Sequence, residues 1–397
     1  MHPMIKAVAK AGVSLVGSML SLLPLRNTIL FESQPDYACN TYPVFLQLRK
    51  ELPDYKMVWC VAPGKEPPEG VDDTFIYESR KLFRWLKGKY YLHTAKAIIS
   101  CNRAIPKPRK DQVHLFLCHG SKTKKTRGLY EPGKGVDYIN VQSHFFDDII
   151  TYEYNCEKEN LVYLGYPRCD WFFETGDKIP ELKEKMQLPR DCKFLVWLPT
   201  FRKHKAGGGG REMDTSKYAS IGMPLVYSLE ELRELNDFLA QRNLYLIYKP
   251  HPAQNVQGLQ DAKLEHIRII NDAYLAQRDL QLNQLLAASD GMITDYSSVF
   301  FDYLLTDKPI LTTVDDIAEW KKMTGFAFDL DALLDQATTR VADRTALMDA
   351  LEDVHLGRDS KAEGRAAVRE LTNTYYDGDS AKRVSAFIRE KIGEGTA

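Results

Sequence analysis

Two adjacent serines in residues 293–302 stand where one apolar run ends and a new one opens. This pattern predicts a strand that feeds a helix. The first backbone N–H groups of a helix lack internal partners, and Ser297 and Ser298 would add hydroxyl donors at the same place. A phosphate or diphosphate group fits such a site. The alternative is that one of these serines simply caps the helix.

Two histidines follow other apolar runs in the same way. His251 follows residues 244–247 together with Lys249, and the prolines around it favour a turn. His119 follows residues 113–118 and precedes a glycine and a basic segment. In an open α/β sheet such strand ends meet at the carboxyl edge, where ligands bind. An imidazole there can take a proton from an alcohol near neutral pH. The alternatives are a surface turn for His251 and a solvated basic loop after His119.

Two arginines stand just past further apolar runs. Arg168 lies in residues 164–170, after the apolar run 161–164, and Arg202 lies in residues 197–202, after the apolar run 194–198. A guanidinium group can grip a phosphate with two parallel N–H donors, so both arginines are candidates for neutralising a diphosphate. Arg168 has a competing partner in Asp170, and an ordinary surface position is the alternative for either arginine. Five strand ends that carry histidine, arginine, lysine or serine together favour one shared anion site.

The chain resembles the CDP-glycerol glycerophosphotransferases, the teichoic acid primase and polymerase family, in the order of five short motifs. These motifs are residues 119–120, 165–168, 199–202, 249–252 and 294–298. Residues 27–33 and 376–383 also resemble the first strand and the last helix entry of that family, so the resemblance covers nearly the whole chain. It implies a GT-B fold, in which two Rossmann-like domains with parallel sheets face each other across a cleft.

In such enzymes the C-terminal domain binds the nucleotide diphosphate of the donor, and the acceptor lies against the N-terminal domain. The resemblance implies CDP-glycerol as the donor substrate, with no metal and no other cofactor. The candidate catalytic residues are His119 and His251. The candidates for the donor phosphates are Arg168, Arg202, Lys249, Ser297 and Ser298. The candidates for the nucleotide are Thr294, Asp295, Asp302 and Ser380, and those for the acceptor side are Gly120, Ser121 and Lys122.

The predicted mechanism is direct displacement. An acceptor hydroxyl attacks the phosphorus that carries glycerol in CDP-glycerol, and CMP leaves. His119 would take the hydroxyl proton, while His251, the two arginines and the serine pair would meet the charge that builds on the diphosphate. Asp302 lies about one helical turn beyond Ser298, so its carboxylate either accepts from ribose hydroxyls or is an exposed helix charge.

Two segments depart from the family pattern. Where the family typically reads His-Gly-Thr-Pro-Leu-Lys, residues 119–124 read His-Gly-Ser-Lys-Thr-Lys. This difference bears on the identity of the acceptor more than on that of the donor. Phe201 stands where tryptophan is common, and we treat this exchange as conservative. Four glycines at positions 207–210 predict a mobile loop over residues 203–216, which is either a lid or a surface excursion.

Composition limits the function classes. A chain of 397 residues with 44% hydrophobic residues is long enough for two domains with their own cores. The formal net charge of -1 gives no global attraction to nucleic acid, so no nucleic-acid partner is expected and any anion preference must be local. The 7 cysteines show no closely paired spacing, which indicates neither a zinc site nor a disulfide framework and favours a reducing compartment.

Residues 1–25 form a separate apolar segment. Residues 11–25 are uncharged and apolar, after Lys6 and Lys10. The segment lacks the cleavage pattern of a signal peptide and is shorter than the roughly 20 apolar residues that span a bilayer. We expect a helix in the membrane interface, with a helix packed on the protein as the alternative. The protein would then be peripheral on the inner face of the cytoplasmic membrane, where lipid-linked acceptors lie.

Apolar runs alternate with helical patterns along the rest of the chain, which predicts two parallel sheets with helices on both faces. The predicted strands are 56–61, 97–101, 113–118, 138–141 and 161–164, then 194–198, 244–248, 267–270, 291–294 and 309–312. We therefore predict an interfacial helix at 1–25 and an N-terminal Rossmann-like acceptor domain at 26–170. A C-terminal Rossmann-like domain for the CDP donor would span 171–380, and a final helix at 381–397 would cross back.

Two other functions stay open. A GT-B glycosyltransferase or sugar-nucleotide epimerase also carries a diphosphate on a helix start, but it would bind UDP or GDP rather than CDP. A non-catalytic module could bind anionic polymer through the basic residues 122–127, and it would ignore free nucleotides. Within the favoured function, the residues do not distinguish glycerol from ribitol, a primase from a polymerase, or a teichoic acid from a capsule or lipopolysaccharide acceptor.

Overall fold

Apolar and β-branched runs form two parallel sheets in a computed structural model that describes residues 3–79, 81–123, 135–200, 222–251, 259, 264–323 and 325–394. The first sheet contains β1 (Arg26–Glu32), β2 (Lys56–Cys60), β3 (Asp73–Phe75), β4 (Ala95–Ser100), β5 (Val113–Phe116), β6 (Tyr138–Asn140) and β7 (Leu161–Val162). Its spatial order is β3-β2-β1-β4-β5-β6-β7, with parallel pairing throughout.

The second sheet contains β8 (Lys193–Trp197), β9 (Leu244–Tyr248), β10 (Ile267–Ile269), β11 (Gly291–Thr294), β12 (Ile310–Thr313) and β13 (Thr339–Val341). Its order is β10-β9-β8-β11-β12-β13, and its pairings are also parallel. The predicted α/β class with two parallel sheets is confirmed. The three-residue edge strands β3 and β13 are additional to the strands that we predicted.

Each sheet reverses its direction of winding at one point. In the first sheet the chain runs from β1 out to β3 and returns to the other side of β1 with β4. In the second sheet it runs from β8 out to β10 and returns to the other side of β8 with β11. In open α/β sheets ligands bind in the crevice outside the carboxyl ends of the two strands at such a reversal. The segments after β1 and β4, and after β8 and β11, are therefore the places to look for a site.

Helices connect the strands. Before residue 171 they are α1 (Pro3–Leu20), α2 (Thr41–Glu51), α3 (Leu82–Thr94) and α4 (Asp147–Tyr154). After it come α5 (Trp171–Glu174), α6 (Ile179–Lys185), α7 (Leu229–Ala240), α8 (Asp272–Ala276), α9 (Leu282–Ala288), α10 (Val299–Tyr303), α11 (Ile317–Met323), α12 (Leu330–Ala337), α13 (Arg344–Leu356), α14 (Ala362–Thr372) and α15 (Ser380–Lys391). Single 3-10 turns cover His144–Phe146, Lys158–Asn160, Pro167–Asp170, Gly176–Lys178 and Leu304–Thr306.

The chain forms two compact units. The first unit comprises Met1–His119, Thr126–Asp170 and Asp377–Ala397, and the second comprises Gly120–Lys125 and Trp171–Tyr376. The change of unit after Asp170 falls where we placed the domain boundary. Two segments differ from our division, since residues 120–125 belong to the second unit and residues 377–380 to the first.

The core of the first unit explains why it includes the last helix. Val384 and Ile388 lie four residues apart on α15, so they share one face, and both are fully buried in the same cluster as Ile29 and Phe31 of β1. Ser385 on the same helix donates a hydrogen bond to a carboxylate oxygen of Glu51 in α2 at 2.6 Å. The final helix is therefore an integral layer of the first unit.

The core of the second unit forms around its central strands. Leu195 and Trp197 of β8, Tyr248 of β9 and Ile293 of β11 are fully buried in one cluster. The rings of Trp197 and Tyr248 meet edge to face, with their centroids 5.8 Å apart. This packing fixes the ends of three neighbouring strands, and those ends carry the residues that we predicted to bind the donor.

Helix α1 packs on α3 and leaves another face exposed. Gly17 lies close to the imidazole of His93, and the hydroxyl of Ser21 is 2.8 Å from Nδ1 of the same ring. Leu15, Met19 and Leu22 are 63%, 62% and 86% exposed. The helix therefore packs on the protein and also presents an apolar surface, and its position in the membrane interface stays a prediction. Within the described residues, none of the helices has the length and apolarity needed to cross a bilayer.

Candidate active site

A thiol, an imidazole and a guanidinium group meet at the carboxyl edge of the first sheet. Cys39 follows β1, His119 follows β5, and Arg168 lies in the 3-10 turn Pro167–Asp170. The sulfur of Cys39 is 3.3 Å from Nδ1 of His119. Nη1 of Arg168 donates to that sulfur at 3.2 Å and also to the carbonyl oxygen of His119. His119 is exposed, whereas Arg168 is only 7% exposed. The buried arginine therefore holds the backbone of the exposed histidine through its bond to the carbonyl oxygen.

Asn40 fixes the backbone under this cluster. Its buried side chain donates to the carbonyl oxygens of Leu117 at 3.3 Å and Cys118 at 2.8 Å. Its Oδ1 accepts the backbone N–H of Arg168 at 3.2 Å. Cys118 has a φ of 55°, a left-handed conformation that is uncommon for residues other than glycine. One amide thus joins three chain segments and holds the strained residue that precedes His119.

The surroundings of Cys39 favour its thiolate. Its pKa lies well below the usual value, because a hydrogen bond from Cys101 outweighs the cost of burial and because His119 and Arg168 are close. The pKa of Cys101 is raised well above its usual value by burial and by the same hydrogen bond, so this thiol keeps its proton. All seven cysteines lie in the described part of the chain, and none of them forms a disulfide bond.

The structure gives Arg168 a different setting from the one that we predicted. We assigned it to the donor phosphates, but in the first unit its guanidinium contacts Cys39 and the carbonyl of His119. Its charge also lies 5.4 Å from the centre of the Tyr166 ring. The expected competition from Asp170 takes another form, since that carboxylate accepts from backbone N–H groups of Ser380 and the next residue. Arg168 therefore supports His119, and its contact with a donor phosphate stays a prediction.

Three neighbouring strands of the second sheet end with residues predicted to bind the donor. The strands β9, β8 and β11 are adjacent, and their pairing is parallel. Lys249 and His251 follow β9, Thr200 follows β8, and Ser297 and Ser298 follow β11. Because carboxyl ends of parallel strands lie at one edge, the structure brings these residues to the same edge of the second unit. The winding reversal between β8 and β11 lies in the middle of the group.

Thr294 and Asp295 build the turn that presents the two serines. The fully buried carboxylate of Asp295 accepts the backbone N–H of Thr200 at 2.7 Å and the Thr200 hydroxyl at 2.5 Å. The hydroxyl of Thr294, also fully buried, donates to the carbonyl oxygen of Leu198 at 2.9 Å. Together these bonds join the ends of β8 and β11. Both side chains therefore have a structural role in this turn, and their contact with the nucleotide stays a prediction.

Ser297 and Ser298 are half-exposed at the end of this turn. Ser298 occupies the position before α10, but its side chain makes no capping hydrogen bond, so the capping alternative does not hold for it. Helix α10 is only 5 residues long, which is shorter than a helix with a strong dipole requires. The hydroxyl groups, rather than the dipole of a long helix, are the donors that this turn presents.

The residues after β9 differ in their surroundings. Nζ of Lys249 forms an ion pair with Asp272 at 2.7 Å, and its side chain is largely buried. His251 is exposed at the same edge. The lysine charge is therefore held in place by a carboxylate, while the imidazole reaches the surface.

The segment after His119 belongs to the second unit, although we predicted it as the acceptor side of the first domain. The residues concerned are Gly120, Ser121 and Lys122. Ser121 is buried, and the hydroxyl of Thr123 donates to the carbonyl oxygen of Tyr296 at 3.2 Å. The carbonyl of Thr123 accepts the N–H of Ala327 at 3.0 Å. These bonds fix the segment beside the turn that leads to Ser297, so an acceptor role for it stays a prediction.

Ser380 and Asp302 also differ from expectation. The backbone N–H groups of Ser380 and Ala381 donate to the carboxylate of Asp170 at 3.0 and 2.7 Å. A carboxylate of the chain itself thus caps this helix start, and the contact of Ser380 with the nucleotide stays a prediction. Asp302 is 2% exposed, so the alternative of an exposed helix charge is wrong.

Several predicted or missed features complete the picture. Arg202 and the glycine-rich residues 207–210 lie outside the described residues. Over the described ranges, His, Cys, Asp and Glu side chains form no group of three or more that could hold a metal ion, and metal independence stays a prediction.

Sequence reasoning missed Cys39, Asn40 and Asp170. Cys39 and Asn40 lie a few positions after residues 27–33, which resemble the first strand of the family, and this was the available signal.

Comparison with known proteins agrees with this geometry. A family model described as CDP-glycerol:poly(glycerophosphate) glycerophosphotransferase matches residues 16–390. The chain is 25% identical over 422 residues to a teichoic acid poly(glycerol phosphate) polymerase of Bacillus spizizenii, with 96% of each chain covered. It is 27% identical over 347 residues to the polymerase of the same name from Bacillus subtilis, covering 79% of this chain but only 42% of that protein.

A solved structure shows the same fold. A variant of the wall teichoic acid polymerase TagF aligns with a TM-score of 0.76 at 18% identity, covering 98% of this chain and 97% of that one. The family that the motifs predicted is confirmed, because the family model matches nearly the whole chain. The protein belongs to the CDP-glycerol:poly(glycerophosphate) glycerophosphotransferase family.

Proposed function

We propose that the protein transfers glycerol phosphate from CDP-glycerol to a hydroxyl group of a lipid-linked or cell-surface glycan acceptor of the teichoic acid type, and releases CMP. The observation that carries this proposal is the edge of the second sheet, where three adjacent strands end with hydroxyl, ammonium and imidazole groups around one winding reversal. Membership of the glycerophosphotransferase family supports the choice of CDP-glycerol.

The second unit holds the donor in this proposal. The hydroxyl groups of Ser297 and Ser298 donate to diphosphate oxygens, and His251 and Lys249 supply positive charge. Charge-assisted hydrogen bonds of this kind are stronger than neutral ones, and they stabilise charge that develops on a leaving diphosphate. The bonds between Thr200 and Asp295 keep the serine turn in place before the donor arrives.

The first unit supplies the base. The acceptor hydroxyl gives its proton to Nε2 of His119 while its oxygen forms a bond to the glycerol-bearing phosphorus. The bond between that phosphorus and the oxygen of CMP breaks, and CMP leaves with the electron pair. The imidazolium then loses its proton to solvent, which the exposed position of His119 allows. A positioned general base contributes roughly 10²–10⁴-fold to such a reaction.

Nucleotide binding tests the donor half. We expect CDP to raise the melting temperature of the protein more than UDP or GDP does, because a ligand that binds only the folded state stabilises it. Ser298→Ala and His251→Ala should each weaken the CDP effect. His355→Ala, which removes a partly exposed imidazole elsewhere in the second unit, is the matched control. A larger response to UDP or GDP would instead support a sugar-nucleotide enzyme, and no response to any nucleotide would support a binding module.

Turnover tests the base. CMP release is measured with CDP-glycerol and CDP-ribitol over a panel of lipid-linked acceptors, and the products are identified by mass. We expect His119→Ala to lower kcat by roughly 10²–10⁴-fold while CDP binding stays nearly unchanged. His144→Ala is the matched control, since that histidine is 75% exposed in the same unit. Near-normal transfer by His119→Ala would refute the assignment.

We also propose that the reaction needs no metal, because hydroxyl, imidazole and ammonium groups at the second sheet edge offer donors to a diphosphate. Transfer in excess EDTA should then match transfer in untreated buffer. Activity that disappears in EDTA and returns with added Mg²⁺ would contradict this part of the proposal.

We further propose that α1 lies in the membrane interface, which places the protein on the inner face of the cytoplasmic membrane beside lipid-linked acceptors. Leu15, Met19 and Leu22 are spaced along one face of the segment and are strongly exposed. An exposed apolar helix face of this kind binds at the boundary between lipid headgroups and acyl chains.

Co-sedimentation with vesicles that contain anionic lipid tests this placement. The double substitution Leu15→Glu and Met19→Glu should release the protein from the vesicles. The double substitution Leu356→Glu and Leu371→Glu is the matched control, because it places the same two charges at leucines that are 52% and 48% exposed in the second unit. Equal binding by the double variant and the wild type would refute the interface role of α1.

A further inference from the structure

We infer that Cys39 is a positioning residue for His119: as a thiolate its sulfur accepts the Nδ1–H of the imidazole, which leaves Nε2 to take the acceptor proton. The inference deepens the proposed function, because it rests on His119 as the general base. It gives a role to a side chain that stands beside the winding reversal of the first sheet, after β1.

The distances support a hydrogen-bonded pair. The sulfur of Cys39 lies 3.3 Å from Nδ1 of His119, within hydrogen-bond range for sulfur. The backbone of Cys39 has a φ of 60°, a conformation that residues other than glycine seldom adopt. Asn40, the next residue, is bonded to both the His119 and the Arg168 segments, so the thiol is held in register with the imidazole.

The contact of Arg168 with the sulfur of Cys39 limits the direction of the hydrogen bonds in this cluster. A guanidinium group has only donors, so the sulfur that Arg168 contacts at 3.2 Å must accept. A thiolate can also accept from Nδ1–H of a neutral imidazole, and the proton-free nitrogen is then Nε2. A thiol could instead donate its proton to Nδ1 and leave the ring proton on Nε2, the tautomer that cannot act as a base there. Its other acceptor is the carbonyl oxygen of His119, 4.0 Å from the sulfur.

Neighbouring groups keep the sulfur ionised. The pKa of Cys39 is well below its usual value, with the hydrogen bond from Cys101 as the largest cause. The pKa of Cys101 is raised well above its usual value by burial, so Cys101 stays a thiol. Its S–H is shared between Cys39 and Oδ1 of Asn102, which lies 3.0 Å from its sulfur. The guanidinium of Arg168 adds positive charge, and its Nη1 donates to the sulfur at 3.2 Å. The anion is therefore stabilised from three sides.

During transfer Cys39 and His119 would act together. The acceptor proton moves to Nε2 of His119 as the new phosphorus–oxygen bond forms and the bond to CMP breaks. The imidazolium keeps Nδ1–H directed at the thiolate, so a negative charge lies next to the positive charge that has just formed. No electron leaves the sulfur, and Cys39 forms no covalent bond to the substrate.

Substitution of Cys39 tests the role. Cys39→Ala should lower kcat by at least about tenfold, but by no more than the roughly 10²–10⁴-fold that the whole general base contributes. KM for CDP-glycerol should change less than about twofold. Cys39→Asp replaces one anionic acceptor by another and should restore much of kcat, whereas the neutral Cys39→Ser should stay well below it. Cys156→Ala is the matched control, since that cysteine is partly exposed in the same unit.

A double substitution separates this inference from the proposed function. If Cys39 acts through His119, adding Cys39→Ala to His119→Ala should cause no further loss of kcat, because coupled residues are not additive. An active Cys39→Ala enzyme beside an inactive His119→Ala enzyme would overturn the inference and leave the proposed base intact. A wild-type protein that does not consume CDP-glycerol would overturn the proposed function.

Alkylation tests the thiolate on the unaltered protein, so it does not depend on how a variant folds. Iodoacetamide reacts with thiolates, and burial raises the pKa of Cys60 to about 12 and that of Cys156 to about 11. At pH 6.5 we expect Cys39 to be modified first, as located by peptide mass, with transfer lost in parallel and CDP binding kept. Arg168→Gln should slow the modification. Modification of Cys156 as fast as that of Cys39 would overturn the inference.

Discussion

The carboxylate of Asp170 caps the helix that begins at Ser380, across 210 positions of sequence. Its two oxygens accept the N–H groups of Ser380 at 3.0 Å and Ala381 at 2.7 Å. Asp379, which directly precedes the helix, makes no capping bond with its side chain. The cap lies in the same 3-10 turn as Arg168, so one turn supports both the last helix and the base His119.

Removal of this cap should loosen the last helix. Asp170→Ala leaves two N–H groups at the start of α15 without their carboxylate, and we expect a loss of roughly 1–3 kcal/mol in the stability of that helix. Hydrogen exchange of the amides in Ser380–Lys391 measures the loss directly. Asp379→Ala is the control, because its exposed ion pair with Lys382 should contribute less than about 0.5 kcal/mol. Equal exchange in both variants would contradict the capping role.

Gly165 should not tolerate a side chain. A Cβ at this position would lie 2.4 Å from the hydroxyl oxygen of Ser380, and the backbone has a φ of +76°. Gly165→Ala therefore combines a left-handed conformation with overpacking, and we expect a destabilisation of about 2–4 kcal/mol. Gly64→Ala is the matched control, since Gly64 has a φ of +82° but no atom within 4 Å of the added Cβ.

Thermal unfolding of the two glycine variants separates these contributions. Gly64→Ala should lose only the conformational part, about 1–2 kcal/mol, and should melt above Gly165→Ala. The same melting temperature for both variants would show that the contact with Ser380 contributes nothing.

The central strands could be predicted from the sequence because each is an apolar run of four or more residues with a polar segment after it. The edge strands β3 and β13 could not. They are three residues long and contain Asp73 and Arg340, so they carry no apolar run, and only pairing with a neighbour makes them strands.

Site residues that follow a strand could be predicted from the sequence, whereas those whose partners lie far away along the chain could not. His119, His251 and the serine pair were found because each follows a strand. Cys39 was missed because its partner His119 lies 80 residues away, and no local pattern records that contact. Asp295 was found as a site residue, but its bond to Thr200 was not predicted, since its position in the motif does not show that the carboxylate turns inward.

The hydroxyl of Thr200 should matter for donor binding through Asp295. Thr200→Val keeps the size of the side chain but removes the hydroxyl that donates to the fully buried carboxylate, at a cost of roughly 1–3 kcal/mol. The turn that carries Ser297 should then loosen and bind CDP more weakly. Thr200→Ser retains the hydroxyl and is the control. Titration calorimetry with CDP measures the effect, and identical affinities for the two variants would argue against this role of the turn.

The stability of the first unit should fall between pH 6.5 and 4 because of His114. This imidazole is fully buried between the Ser100 hydroxyl, 2.8 Å from Nε2, and the Gly135 carbonyl, 3.1 Å from Nδ1. Burial lowers the pKa of His114 from 6.5 to about 4. Between these values the unfolded chain binds a proton that the folded chain does not, so stability is full above pH 6.5 and is lost as pH falls towards 4. The loss is about 3 kcal/mol in total.

Urea unfolding at a series of pH values measures the slope of the free energy of unfolding against pH. His114→Gln removes the titrating group, so its stability should depend less on pH between 6.5 and 4 than that of the wild type, whatever its stability at neutral pH. Carboxylates that titrate in the same window are present in both proteins, and the difference between the two slopes therefore isolates His114. Parallel curves for the wild type and His114→Gln would show that the buried imidazole does not govern the acid sensitivity.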